Sequence, residues 1–170
     1  QDVAIIGVGL HAFGRFEKTA MEMGAEAIWS ALDDAGLEWN DIQFGFGGSY
    51  EISNPDAVTR MVGLTGLPFT NVFNACATAA SAIQQTADAI RLGKYDIGLA
   101  VGMDKHPRGA FTDDPAKQAL PQWYGENGQY VTTKFFGMKA NRYLHDHGIS
   151  QATLAKVAAK NFRNGVLNPN

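Results

Sequence analysis

The chain has 170 residues, 45% of them hydrophobic and 18% charged, with a net charge of −3. That is enough apolar material for a globular fold with a sizeable core, and it excludes a disordered chain. No run of Lys or Arg supplies the clustered cations that a nucleic-acid partner demands, and no apolar run nears the roughly 20 residues of a membrane span.

The elements follow in chain order. "VAIIGVG" (3–9) is a continuous apolar run ending in glycine and predicts a buried strand. Gln1 and Asp2 open straight into it, so no secretory leader is expected. Thr19 and Glu22 have capping-box spacing. Apolar residues from Met23 to Ala35 recur at helical intervals, and Gly36 stops that helix. "IQFGFGGSY" (42–50) reads as a glycine-rich strand. Asn54-Pro55 predicts a capped short helix to about Leu64. "FTNVF" (69–73) is a third strand, a long helix runs from about Ala75 to Leu92, and "DIGLAVGM" (96–103) is a fourth strand. Alternation of this kind predicts an α/β fold with a parallel or mixed sheet between helices.

After Asp104 the pattern breaks. Residues 104–148 begin as a long, proline-bearing excursion of the kind that covers functional sites, with helical signals returning at about 132–147. Residues 149–170 hold another helical pattern and are expected to return to the core of 1–103. Four strands with flanking helices lack a closing element, so a longer natural chain is expected.

Gly7, Gly9 and Ala12 match GxGxx(G/A), but the context of a dinucleotide site is missing. No helix opens at that turn, and Asp33, at roughly the right spacing, falls inside a helix. None of the four histidines has metal-ligand spacing. His11, His106, His145 and His147 read as surface or capping residues. Asp33-Asp34 and Asp113-Asp114 read as solvated charge, since neighbours on a helix do not face each other.

Cys76 is the single cysteine. It excludes an internal disulfide and a multi-cysteine zinc site, and it points to a reducing, cytoplasmic home. Its predicted place is the first turn of the helix that follows "FTNVF". Unpaired N–H groups and the positive end of the dipole there favour a thiolate, and the same groups suit an oxyanion. A buried, inert thiol among small residues is the other reading, and position alone leaves both open.

"NACATAASAI" (74–83) after a short strand resembles the nucleophile segment of the thiolase superfamily, in particular the sterol-carrier-protein type thiolases, also called nonspecific lipid-transfer protein thiolases. "ALDDAGLEWNDI", "GKYDIGLAVGMDKHPRGAF", "WYGENGQYVTTKFFGMKANRYLHDHGIS" and "LAKVAAKNFRNGVLNPN" extend the resemblance over essentially the whole chain. It implies a thiolase-like fold, of which this is the N-terminal half: a mixed sheet in α-β-α layers, with the C-terminal half absent. It implies a homodimer that pairs near "FTNVF", no resident cofactor or metal, and coenzyme A as co-substrate. By position, Cys76 matches the nucleophile that takes an acyl group from a 3-ketoacyl-CoA and passes it to a second coenzyme A. Asn74, His106, Tyr124, Phe135 and Met138 are the implied substrate-binding residues, and a lipid or steroid acyl-CoA is the implied substrate. The catalytic histidines of the family match no histidine here, and Phe162 stands where relatives often carry histidine. Two alternatives belong to the same resemblance. One is a steroid side-chain aldolase that works with an OB-domain partner subunit, and the other is a non-catalytic subunit that binds lipid or acyl-CoA.

Overall fold

The computed structural model describes residues 2–50, 52–106, 115–118, 120–128 and 132–170. Backbone contacts divide the chain into two units, residues 1–106 with Asn170 and residues 107–169.

The first unit is a three-stranded parallel sheet between helices. Helix α1 spans Ala20–Ala35, and its start is the predicted capping box. The Thr19 N–H donates to Glu22 Oε2 at 2.6 Å, and the Glu22 N–H donates to Thr19 Oγ1 at 3.2 Å. These bonds, the Thr19 backbone first, hold the Glu22 carboxyl below its usual pKa. Gly36 ends the helix in the left-handed conformation, φ +66°.

Strand β1 (Phe44–Gly48) lies in the centre, with β2 (Phe69–Val72) on one side and β3 (Gly98–Gly102) on the other. Phe46 pairs with Thr70 and Ala100. The faces follow the strand period of two. Leu99, Val101 and Met103 pack with Ala25, Ile28 and Leu32 of α1, and Trp39, Val58 and Val62 close that core. On the other face lies α3 (Thr78–Arg91). Its approach is very close, because a Cβ at Gly48 would overlap Thr78 Cγ2 and one at Gly102 would come 2.9 Å from Ala79 Cβ.

Residues 3–9 are not a strand. Gly7 and Gly9 lie directly on the backbone of α1, where a Cβ on Gly9 would overlap the Ala27 carbonyl oxygen. The Val8 N–H donates to Asp34 Oδ2 at 2.9 Å rather than to a neighbouring strand. Ile5, Ile6 and Val8 are 76%, 57% and 66% exposed, so this apolar run has no ladder and little burial. Asp34 is exposed, as expected of solvated charge, and in addition accepts this bond. The glycine pattern at 7–12 is explained by close packing on α1.

Three further predictions are corrected. Asn54 makes no side-chain cap to the short 3-10 turn at Pro55–Val58 that leads into α2 (Thr59–Val62). Asn71 on β2 does that work instead, accepting the Asp56 N–H at 2.9 Å and donating to Asp56 Oδ1 at 2.8 Å. The long helix begins at Thr78 rather than Ala75, for reasons given below. His11 is not a plain surface residue either. Its side chain is mostly buried, edge-on to Phe16, with Nε2 3.3 Å from Glu26.

The second unit carries α4 (Trp123–Glu126), α5 (Thr132–Asp146) and α6 (Ala152–Gly165). Gly148, φ +60°, separates α5 from α6 as the sequence predicts. Asp113-Asp114 lies outside the described residues. Among the described residues no helix is long and apolar enough to cross a membrane, and no cluster of side chains is fit to hold a metal ion.

Candidate active site

Because all three strands run the same way, their C-terminal ends open at one edge of the sheet, where α/β folds place their ligands. Ser49 and Tyr50 follow β1, Phe73 and Asn74 follow β2, and Met103 and Asp104 follow β3. This edge is cross-linked. The Met103 N–H donates to the Gly48 carbonyl at 3.0 Å. Asp104 Oδ1 accepts from the Ser49 hydroxyl at 2.8 Å and from the Tyr50 N–H at 2.9 Å. Ser49 Oγ in turn accepts the Ile52 N–H at 2.8 Å. Ser49 is buried, and this bonding makes that burial tolerable.

Cys76 sits at the same edge and is exposed. It does not lie in the first turn of α3. It occupies the middle of a 3-10 turn, Ala75–Ala77, that precedes the helix. Ala75 has φ +45°, the one non-glycine residue with positive φ among those described. A helix cannot include that dihedral, which is why α3 starts three residues late. A side chain in the left-handed region costs roughly 1–2 kcal/mol, so the turn must be held by its surroundings. Four bonds hold it. The Asn74 N–H donates to Thr78 Oγ1 at 2.9 Å, the Thr78 hydroxyl donates to the Ala75 carbonyl at 2.7 Å, the Thr78 N–H donates to that same carbonyl, and the Ala77 N–H donates to the Asn74 carbonyl at 2.9 Å.

Of the other predicted site residues, Asn74 belongs to this turn, and its side chain donates to Ser81 Oγ at 2.9 Å. His106 is exposed at the end of the first unit, two residues past the anchored Asp104. Tyr124, Phe135 and Met138 belong to the second unit. There Tyr124 stacks on Trp123 at 4.1 Å between centroids, and Lys139 Nζ lies 4.4 Å above the Phe135 ring. Sequence reasoning missed Ser49, Thr78 and Asp104, whose roles arise from bonds that only the folded chain reveals. A cleft of about 260 Å3 opens between the ends of β1 and β2, with Tyr50, Ile52, Pro55, Asn71 and Phe73 in its walls. Cys76 is not among its lining residues.

A parallel sheet layered between helices, with a single cysteine in a strained turn at its C-terminal edge, defines an α/β protein. Residues 3–170 match the model of the thiolase N-terminal domain, and the chain belongs to that family. It is 29% identical to non-specific lipid-transfer protein-like 2 of Caenorhabditis elegans, over 98% of this chain and 45% of that protein. It is also 29% identical to an acetyl-CoA acetyltransferase of Methanothermobacter thermautotrophicus, over 99% of this chain and 46% of that protein. The chain thus spans about half the length of these curated relatives. Among solved structures, an Ltp2-ChsH2(DUF35) aldolase superposes with a TM-score of 0.62 at 28% identity, covering 85% of this chain and 38% of that one. The fold is thiolase-like.

Proposed function

We propose that the chain carries the acyl-accepting nucleophile of a thiolase-type enzyme, and that this nucleophile is Cys76. The observation behind the reading is the exposed thiol in a strained turn, at the head of α3 and at the C-terminal edge of the sheet. The substrate would be a 3-ketoacyl-CoA from lipid or steroid side-chain breakdown. The thiolate attacks the C3 carbonyl, and the C2–C3 bond breaks. Its electron pair goes to C2, which a general acid protonates, and acetyl- or propionyl-CoA leaves. The acyl group stays on sulfur until the thiolate of a second coenzyme A displaces it, so coenzyme A is a co-substrate and no resident cofactor is needed. Backbone N–H groups at the head of α3 suit the oxyanion of the attacked carbonyl. Asn74, His106, Tyr124, Phe135 and Met138 are the proposed substrate contacts, in a cytoplasmic homodimer.

The test is mass spectrometry of the protein after incubation with a 3-ketoacyl-CoA. One acyl adduct per chain on the peptide that carries Cys76 is expected, and Cys76→Ser should lose at least about a thousandfold in turnover, as removal of a covalent nucleophile does. Full turnover in Cys76→Ser would overturn the assignment.

The likeness to the Ltp2-ChsH2(DUF35) aldolase favours a second reading. A β-hydroxyacyl-CoA would lose its hydroxyl proton to a base, and the C2–C3 bond would break to an aldehyde or ketone and a CoA-ester enolate. No bond to sulfur forms on that route, and a small partner subunit with an OB-type domain would be required. Product from a β-hydroxyacyl-CoA that persists in Cys76→Ala, in the presence of such a partner, selects this route over the first. Binding of acyl-CoA with neither adduct nor product would mark a non-catalytic subunit.

A further inference from the structure

We infer that Thr78 is a positioning residue: its hydroxyl locks the strained turn that presents Cys76. The inference rests on the reading of Cys76 as the acyl acceptor, but its geometry is independent of which acyl-CoA reacts. Thr78 is 5% exposed. Its single hydroxyl bonds both sides of the turn, accepting from the Asn74 N–H and donating to the Ala75 carbonyl. These two backbone groups flank the one described non-glycine residue with positive φ. A left-handed alanine persists only where its surroundings over-determine it, and Thr78 supplies that constraint from the first residue of α3.

The position of the Thr78 hydroxyl is itself fixed. Its Cγ2 fills the space left by the missing side chain of Gly48, so the side chain is wedged against β1 on one side and bonded on the other. Gly48 is the last residue of the central strand, paired with both Val72 and Gly102. The end of the central strand is thereby connected to the conformation of Ala75, and through it to Cys76. If the hydroxyl is lost, Ala75 relaxes to an ordinary dihedral. The sulfur then leaves the place in which the strained turn presents it.

The experiment uses the full chain and compares wild type, Thr78→Val, Thr78→Ser and Thr78→Val combined with Ala75→Gly. The readout is the rate of iodoacetamide alkylation at Cys76, followed on the peptide that carries it. This rate needs no acyl-CoA, so it is informative whether or not the thiolase reading holds. That reading stands or falls separately, on the acyl adduct. Thr78→Val keeps the shape and the methyl group but loses the hydroxyl, and should slow alkylation on the order of tenfold, the effect of about one hydrogen bond. Thr78→Ser should restore the rate to within about twofold, because the hydroxyl alone is required. Ala75→Gly should also restore much of the rate in the valine background, because glycine adopts positive φ without strain. If Thr78→Val does not fold, the glycine background supplies a relaxed turn in which valine, serine and threonine at position 78 are compared. There the hydroxyl should matter less than about threefold. A folded Thr78→Val that alkylates at the wild-type rate overturns the inference. So does a serine variant as slow as valine, or a glycine background in which the hydroxyl still matters tenfold.

Discussion

Residues 3–9 and residues 44–48 are close in character, short apolar runs with glycines at their ends, yet they have opposite fates. "FGFGG" is the central strand, paired on both edges and covered on both faces. "VAIIGVG" lies on α1 without a ladder and keeps its isoleucines in the open. Composition therefore states a capacity for strand, while pairing partners decide whether it is used. The glycines differ as well. Those in β1 admit Phe69 and Thr78 side chains, whereas Gly7 and Gly9 admit a helix backbone.

That contrast can be broken from either end. The largest effect is expected at Gly48. An alanine methyl there would overlap Thr78 Cγ2 and come within 2.6 Å of the Val72 carbonyl oxygen, and Thr78 cannot rotate without losing both of its hydrogen bonds. Gly48→Ala should cost about 3 kcal/mol in urea denaturation, at the upper end for overpacking. A cost below about 1 kcal/mol would mean that β1 has slack the structure does not show.

Gly9→Ala meets backbone just as closely, at the Ala27 carbonyl and 2.5 Å from the Ala31 nitrogen. Here the segment has no sheet to disrupt, so it should detach from α1. Global stability should fall by only about 1 kcal/mol. The Val8 amide, bonded to Asp34, should lose its hydrogen-exchange protection while the amides of β1 keep theirs. Global destabilisation equal to that of Gly48→Ala would erase the distinction between the two runs.

The smallest effect is one of pH. Glu22 has a depressed pKa in the folded chain, so the stability it contributes is complete above about pH 5 and is lost as pH falls through the depressed value. Acidification should therefore loosen the start of α1. Glu22→Gln should remove that part of the pH dependence, read by helical circular dichroism between roughly pH 5 and pH 3. A profile identical in the two proteins would remove Glu22 from the capping account.

Much of the fold was legible beforehand, and for local reasons. The capping box at Thr19 and the stop at Gly36 rest on neighbours within a few residues, and the segments that became the three strands were marked by their own apolar runs. The unpaired 3–9 run was not legible, because nothing within it says whether a neighbour will be found. The site divides in the same way. Cys76 stood out as the single thiol after a strand. The Ser49–Asp104 bond spans 55 residues and depends on β1 lying beside β3. The late start of α3 depends on a dihedral at Ala75 that alanine's own preferences oppose.

One contact on the sheet bears on how this sequence can drift. The Phe69 ring lies over two glycines of β1, so closely that a methyl at Gly45 would come 2.6 Å from its Cδ2 and one at Gly47 would run into its far edge. Trimming the ring would uncover bare peptide, and growing either glycine would collide with it. Positions 45, 47 and 69 are therefore packed as a block: a change at one alone leaves either a gap or a clash that the other two would have to absorb.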